Sequence, residues 1–134
     1  MTTTVAHVLV VDDDPMIRTL LEAFLETLGC GATICDDGAL AADGLARAAR
    51  EGTPVNMILV DLRLGEVSGF EWCRRLRAAG VDTSIVCMSG DIGSTDAQEY
   101  TDAGFDGALA KPLSLADLEA CIARHAWRRH LPAS

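Results

Sequence analysis

The chain has 134 residues and a formal net charge of −9, with 20 Asp and Glu against 11 Lys and Arg. That length suits one domain, expected over 1–134 with a core at about 6–129, and the acidic excess opposes nonspecific attraction to DNA, RNA or anionic membranes. The N-terminus is too short for a signal peptide and no apolar run approaches the roughly 20 residues that span a bilayer, so a soluble cytoplasmic protein is expected, without direct nucleic-acid binding or membrane insertion.

The first apolar run, Val8-Leu9-Val10-Val11, ends in Asp12-Asp13-Asp14. A helix follows, because Asp14 can cap it and Pro15 fits its first position. Ile17, Leu20, Leu21, Phe24, Leu25 and Leu28 then share one face before Gly29 stops it. A second strand is predicted at residues 32–35, and an Ala-rich helix at about 38–51, closed by Gly52 and Pro54. Met57-Ile58-Leu59-Val60 runs into Asp61, and Ser68 with Glu71 makes a capping box for a helix carrying Phe70, Cys73 and Leu76. Ile85-Val86-Cys87-Met88 runs into Ser89. The helix predicted near 95–103 has a sparse apolar face, which makes it the weakest element and a candidate for mobility. Ala108-Leu109-Ala110 leads to Lys111-Pro112, and Ser114 with Asp117 caps a last helix bearing Leu118, Cys121 and Ile122. Arg124, Arg128 and Arg129 are read as cations in the last turns of that helix, complementing its dipole.

Strands and helices alternate from end to end, which implies βαβ units and a doubly wound α/β fold with a five-stranded parallel sheet and five helices. The runs ending at Asp12, Asp61 and Ser89 are the most apolar and belong in the centre, whereas those near 32–35 and 108–110 suit the edges. This favours the order 2-1-3-4-5, with a ligand crevice between the first and third strands at their carboxyl ends. Asp12, Asp13, Asp61, Ser89 and Lys111 would share it. Crowded carboxylates repel unless one holds a proton or a cation neutralises them, and all-oxygen ligation by few protein groups suits Mg²⁺, with Mn²⁺ as the alternative. Lys111 adds a compact positive charge and Ser89 a donor hydroxyl, so the crevice is suited to a phosphoryl group.

The five cysteines lack C-x-x-C spacing and are read as small core residues of a reducing compartment; His7, His125 and His130 show no zinc spacing with them. Tyr100, Trp72 and Trp127 are read as packing or partner-surface residues.

The set Val10-Val11-Asp12-Asp13-Asp14-Pro15, Leu59-Val60-Asp61, Met88-Ser89-Gly90 and Lys111-Pro112, in this order and over almost the whole chain, resembles the receiver domains of two-component response regulators, of the stand-alone chemotaxis-regulator type. The resemblance implies a flavodoxin-like fold with Asp61 as phosphoacceptor. It also implies Mg²⁺ held by Asp12, Asp13, Asp61 and the Arg63 backbone carbonyl, Ser89 and Gly90 as the switch at the phosphoryl group, and Lys111 paired with it. A histidine kinase or histidine phosphotransfer protein would be the donor, a further protein the recipient of the signal, and the chain a monomer or weak dimer that is a phosphoacceptor rather than an enzyme.

The chain departs from that pattern in places. Gly65 and Ser68-Gly69 stand where Pro and Asp-Gly are usual, which is expected to leave the loop freer before a metal binds. Ser89 replaces the commoner Thr, and Ala108 stands at the aromatic switch position three residues before the lysine. Arg63 and Asp91, each two residues past a functional strand end, are expected to meet over the site as a gate worth about 0–1 kcal/mol. Two other readings are a small haloacid-dehalogenase-like phosphatase using Asp12-x-Asp14, and a pseudo-receiver scaffold that is not phosphorylated.

Overall fold

The computed structural model describes residues 5–90 and 97–131. Five strands, β1 (His7–Val11), β2 (Gly31–Cys35), β3 (Met57–Asp61), β4 (Ser84–Ser89) and β5 (Gly107–Ala110), alternate with five helices. The helices are α1 (Pro15–Thr27), α2 (Ala39–Arg50), α3 (Gly69–Ala78), α4 (Ala97–Ala103) and α5 (Leu115–His125). All strand pairs are parallel and the order is β2-β1-β3-β4-β5, as the hydrophobicity ranking implies.

Alternation along the strands divides the core in two. Val8, Val10, Met57, Leu59, Val86, Met88 and Leu109 pack on one face with Leu21 and Leu25 of α1 and Leu118, Cys121 and Ile122 of α5. Leu9, Val11, Ile58, Val60, Ile85 and Cys87 pack on the other with Ala41 of α2, Cys73 and Leu76 of α3, and Tyr100 and Ala103 of α4. Every residue of β3 and β4 is buried because both faces are covered, which is why these runs are apolar throughout. The edge strands alternate less strictly; Ala108 and Ala110 are exposed on β5.

The caps follow the sequence. Asp14 Oδ1 accepts from Met16 N at 2.9 Å, Ser68 Oγ from Glu71 N at 3.2 Å, and Ser114 Oγ from Asp117 N at 3.1 Å. The described part of helix α4 is anchored. Tyr100 stacks on Phe70 with centroids 5.7 Å apart, and Phe105 meets both rings edge-on. One prediction needs correction. The last helix ends at His125, so Arg128 and Arg129 lie beyond its final turn and the dipole accounts only for Arg124 and His125. The aromatic expectations need no change: Trp127 is 55% exposed, a surface residue, and Tyr100 packs in the core.

The cysteines are unpaired thiols, four of them buried. Burial pushes the Cys73 and Cys87 thiols up to about 12 and the Cys121 thiol to about 11, so they act as small apolar groups.

Asp106, at the start of β5, is the main polar tie outside the crevice. Its Oδ2 meets Arg77 Nη2 at 2.7 Å and accepts from Ile85 N at 2.9 Å, while its Oδ1 lies 2.8 Å from His130 Nδ1. Arg77 also donates to the carbonyls of Val81, Thr83 and Gly104, so the pair joins α3, β4 and β5. Removing one partner of such a half-buried pair strands the other charge. Asp106→Ala is therefore expected to lower unfolding stability by about 3 kcal/mol or more, and Asp106→Asn, which keeps an acceptor, by less. Urea titration at neutral pH measures both.

Candidate functional site

Strand register builds the crevice. Val11 pairs with Val60, so Asp12 and Asp61 stand level at the ends of adjacent strands, a strand spacing of about 4.8 Å apart. The ladder continues past the strands through Asp12 N to Cys35 O at 3.1 Å and Leu62 N to Met88 O at 3.1 Å. Ala110 pairs with Ser89, and Lys111 N donates to Ser89 O at 2.9 Å, fixing Lys111 just beyond the edge strand. The peptide bond between Lys111 and Pro112 is cis. By strand alternation Asp12, Asp61 and Lys111 share the parity of the α1 and α5 face, and Ser89 has the other.

Lys111 starts two strands away from Asp61, and only a long stem crosses that gap. Its Nζ lies 3.2 Å from Asp61 Oδ2 and 3.5 Å from Asp12 Oδ2. Asp12 is fully buried and Asp61 is 6% exposed. Asp12 Oδ1 accepts from Asp14 N at 2.8 Å and Asp61 Oδ1 from Arg63 N at 3.1 Å; Arg18 donates to the Asp12 carbonyl at 3.0 Å. Asp13 is exposed at the rim, where its Oδ2 accepts from Gly65 N at 3.2 Å. One carboxylate oxygen from each of Asp12, Asp13 and Asp61 lies within 4.8 Å of the other two. Asp61, Arg63, Ser89, Gly90 and Lys111 line a cleft of about 490 Å³ beside them.

Among the described residues, the carboxylates of Asp12, Asp13 and Asp61 thus gather beside the Lys111 ammonium. Burial pushes the Asp12 carboxyl above its ordinary value, and the neighbouring Asp61 charge pushes the same way; the Asp14 amide and Lys111 pull it back. The donor set is all oxygen and short of positive charge, which fits a hard divalent cation such as Mg²⁺.

The sequence missed two supports. Gly69 sits so close under β3 that an added Cβ would strike the Asp61 carbonyl oxygen and come within 2.8 Å of Leu62 Cα, so the small residue lets α3 start against the strand end. Gly65, at φ +53°, turns the loop so that its amide reaches Asp13, and Val67 N to Leu64 O at 3.1 Å closes the turn. The loop expected to be free is tied by these bonds. Asp14 is a helix cap at the exposed end of α1, which removes the second acid that the phosphatase reading needs. Asp91, and with it the gate to Arg63, lies outside the described residues, as does the start of the helix predicted from residue 95.

The model of the response regulator receiver domain matches residues 8–123. The chain belongs to this family. Receiver domains serve two-component systems by taking a phosphoryl group onto an aspartate from a histidine kinase or phosphotransfer partner. The receiver is 35% identical over 114 residues to the transcriptional regulatory protein AruR of Pseudomonas aeruginosa, covering 85% of this chain. It is 30% identical to the two-component response regulator ORR41 of Oryza sativa subsp. japonica, covering 88% of this chain and 92% of that protein. It spans only 46% of AruR and 20% of the Candida albicans transcription factor SKN7. Among solved structures it resembles the receiver domain of the Pseudomonas aeruginosa sensor histidine kinase PA1611, which holds a magnesium ion in its active-site cleft. The TM-score is 0.78 at 28% identity, over 93% of this chain and 100% of that one.

The raised Asp12 value has a consequence for stability. The folded receiver binds this proton more tightly than the unfolded chain, so the group's contribution is fully present below pH 3.8 and is lost as pH rises through the folded value. Ionised Asp12 therefore weakens the metal-free fold at neutral pH. Asp12→Asn is expected to raise the urea midpoint at pH 7 without divalent cations, and the gain is expected to fade towards pH 4; a midpoint unchanged at pH 7 counts against it.

Proposed function

We propose that Asp61 is the phosphoacceptor of this receiver and that Asp12, Asp13, Asp61 and the Arg63 backbone carbonyl hold Mg²⁺, or Mn²⁺ in its place. The observation that carries this reading is Lys111 Nζ 3.2 Å from Asp61 Oδ2, with the oxygens of two further aspartates within 4.8 Å. A phosphohistidine on a histidine kinase or phosphotransfer protein presents its phosphorus to an Asp61 oxygen; the P–N bond breaks as the P–O bond forms, and the electron pair returns to the imidazole. Lys111 offsets charge on the phosphoryl oxygens, and its reach across two strands fixes where they sit. The bound cation supplies further charge compensation for the same oxygens.

Ser89 and Gly90 line the cleft with Asp61 and are placed to meet the added phosphoryl group, so the strand-end loop is the switch. Ala108 is exposed on the edge strand and offers no ring to swing inward, so output is read through the Ser89 loop and the helix beyond it. The receiver acts in the cytoplasm as a monomer or weak dimer and signals by binding another protein. No described helix is long and apolar enough to cross a membrane. ORR41, a relative matched over 92% of its own length, supports the stand-alone reading.

Labelling by acetyl phosphate is expected to require Mg²⁺ and to vanish in Asp61→Asn. Phosphoprotein electrophoresis reads the outcome, and equal labelling of the variant would refute the acceptor. Mg²⁺ is also expected to raise unfolding stability by about 2.7 kcal/mol at a hundredfold excess over its Kd, because it binds the native state alone. Asp13→Ala should lose most of that gain in a thermal melt; a full shift in the variant would place the metal elsewhere.

A further inference from the structure

We infer that the end of the receiver remote from Asp61 is a docking surface for a partner segment that combines acidic side chains with an apolar anchor. The surface is built by the tail at 127–131 where it crosses the amino ends of the strands, about 17 Å of strand away from the crevice.

The tail's path is fixed by polar contacts. Ser84 Oγ donates to Arg128 O at 2.7 Å, His130 N to Asp82 O at 2.7 Å, and Arg129 forms an antiparallel bridge with Thr83. His130 Nδ1 lies 2.8 Å from Asp106 Oδ1, and Arg129 Nη1 lies 3.1 Å from Asp82 Oδ2. A segment already ordered in this way loses little entropy when something binds to it.

The side chains it displays are those that dominate interfaces. Trp127 is 55% exposed and Leu131 83%, and Val5, 54% exposed, adjoins Trp127. These are three of the five large exposed apolar residues among the described residues, gathered at one end, whereas isolated ones would need no explanation. Hollows flank the indole. One of about 310 Å³ is lined by Val5, His7, Pro54 and Trp127, and one of about 300 Å³ by Val55, Thr83, Trp127 and Arg128. A third of about 580 Å³ lies among Arg124, His125, Arg128, Arg129 and Leu131.

Charge selects the occupant. Among the described residues the Arg124 and Arg128 guanidinium groups have no ion pair, although the chain carries 20 acidic residues against 11 basic ones. The helix dipole does not account for Arg128, which lies past the end of α5. Arg128 beside Trp127, with Arg124 lining the adjoining hollow, matches the composition of interface hot spots, and side-chain-sized hollows suit discrete anchors. A long polyanion would neutralise few charges here and be repelled by the net −9 of the rest, which favours an acidic protein segment over a nucleic acid or an anionic bilayer.

The test is selection of a random 12-residue peptide display library on the immobilised full chain. Selected peptides are then titrated by fluorescence anisotropy against the wild type, Arg124→Glu/Arg128→Glu and Trp127→Ala. Phosphatidylserine vesicles and oligo(dT) are titrated in parallel. Peptides rich in Asp and Glu around one apolar residue are expected, with affinity falling about tenfold in each variant. Urea midpoints confirm that the variants fold, and Trp127→Ala keeps every polar bond of the tail should the charge reversal not. Selection without acidic bias, or equal binding to folded variants, would overturn the inference. Binding of vesicles or oligo(dT) through Arg124 and Arg128, with no acidic peptide selected, would do so in favour of a polyanion. Asp61→Asn leaves this surface intact, so the result is independent of the phosphoacceptor assignment.

Discussion

Asp12 and Asp61 are held out of water at the ends of neighbouring strands, with the Lys111 ammonium shared between them. Desolvation and mutual repulsion make this arrangement costly, and the fold tolerates it because backbone amides and Lys111 oppose those costs without removing them. The oxygens gathered in this way fit a hard divalent cation. The remaining architecture serves that placement. Register levels the two acids, the edge strand sets the distance Lys111 must span, and Gly69 lets α3 begin directly beneath Asp61.

The same sheet separates two kinds of surface. At the carboxyl ends the loops carry unsatisfied negative charge around a cleft; at the amino ends the Asp106 network and the tail lock the backbone and leave arginines and an indole outward. Both are rigid frames displaying reactive or sticky groups, and strands buried on both faces keep them at a fixed separation. A change at one end can reach the other only through packed elements. The ring cluster of Phe70, Tyr100 and Phe105 is the most evident such element on the α3 and α4 side, and it includes a buried Tyr100 hydroxyl without a hydrogen-bond partner among the described residues.

Membership of the receiver family adds a partner class to this physics. The chain also departs from the family's usual residues at 108, where Ala leaves the edge strand without an aromatic, and in the loop after Asp61, where Gly65 spends its amide on Asp13. These departures lie beside the crevice, whereas Asp12, Asp13, Asp61 and Lys111 keep the residue types and order of the family's pattern, with Ser89 in place of the commoner Thr.

The sequence determined the element types, the strand order and the identity of the crevice residues. Burial on both faces writes itself as uninterrupted apolar runs in β1, β3 and β4, and a polar residue ending each run marks the carboxyl edge. Local caps at Asp14, Ser68 and Ser114 were legible for the same reason, since each depends on neighbours a few residues away. Tertiary structure alone decided what depends on residues distant in the chain. Lys111 meets Asp12 across 99 residues of sequence, Gly69 matters only because a strand carbonyl lies against it, and Asp106 gathers Arg77, Ile85 and His130 from three separate elements. The arginines past α5 looked like helix-dipole partners because periodicity does not show where a helix stops when the chain beyond it is pinned by side chains from another strand.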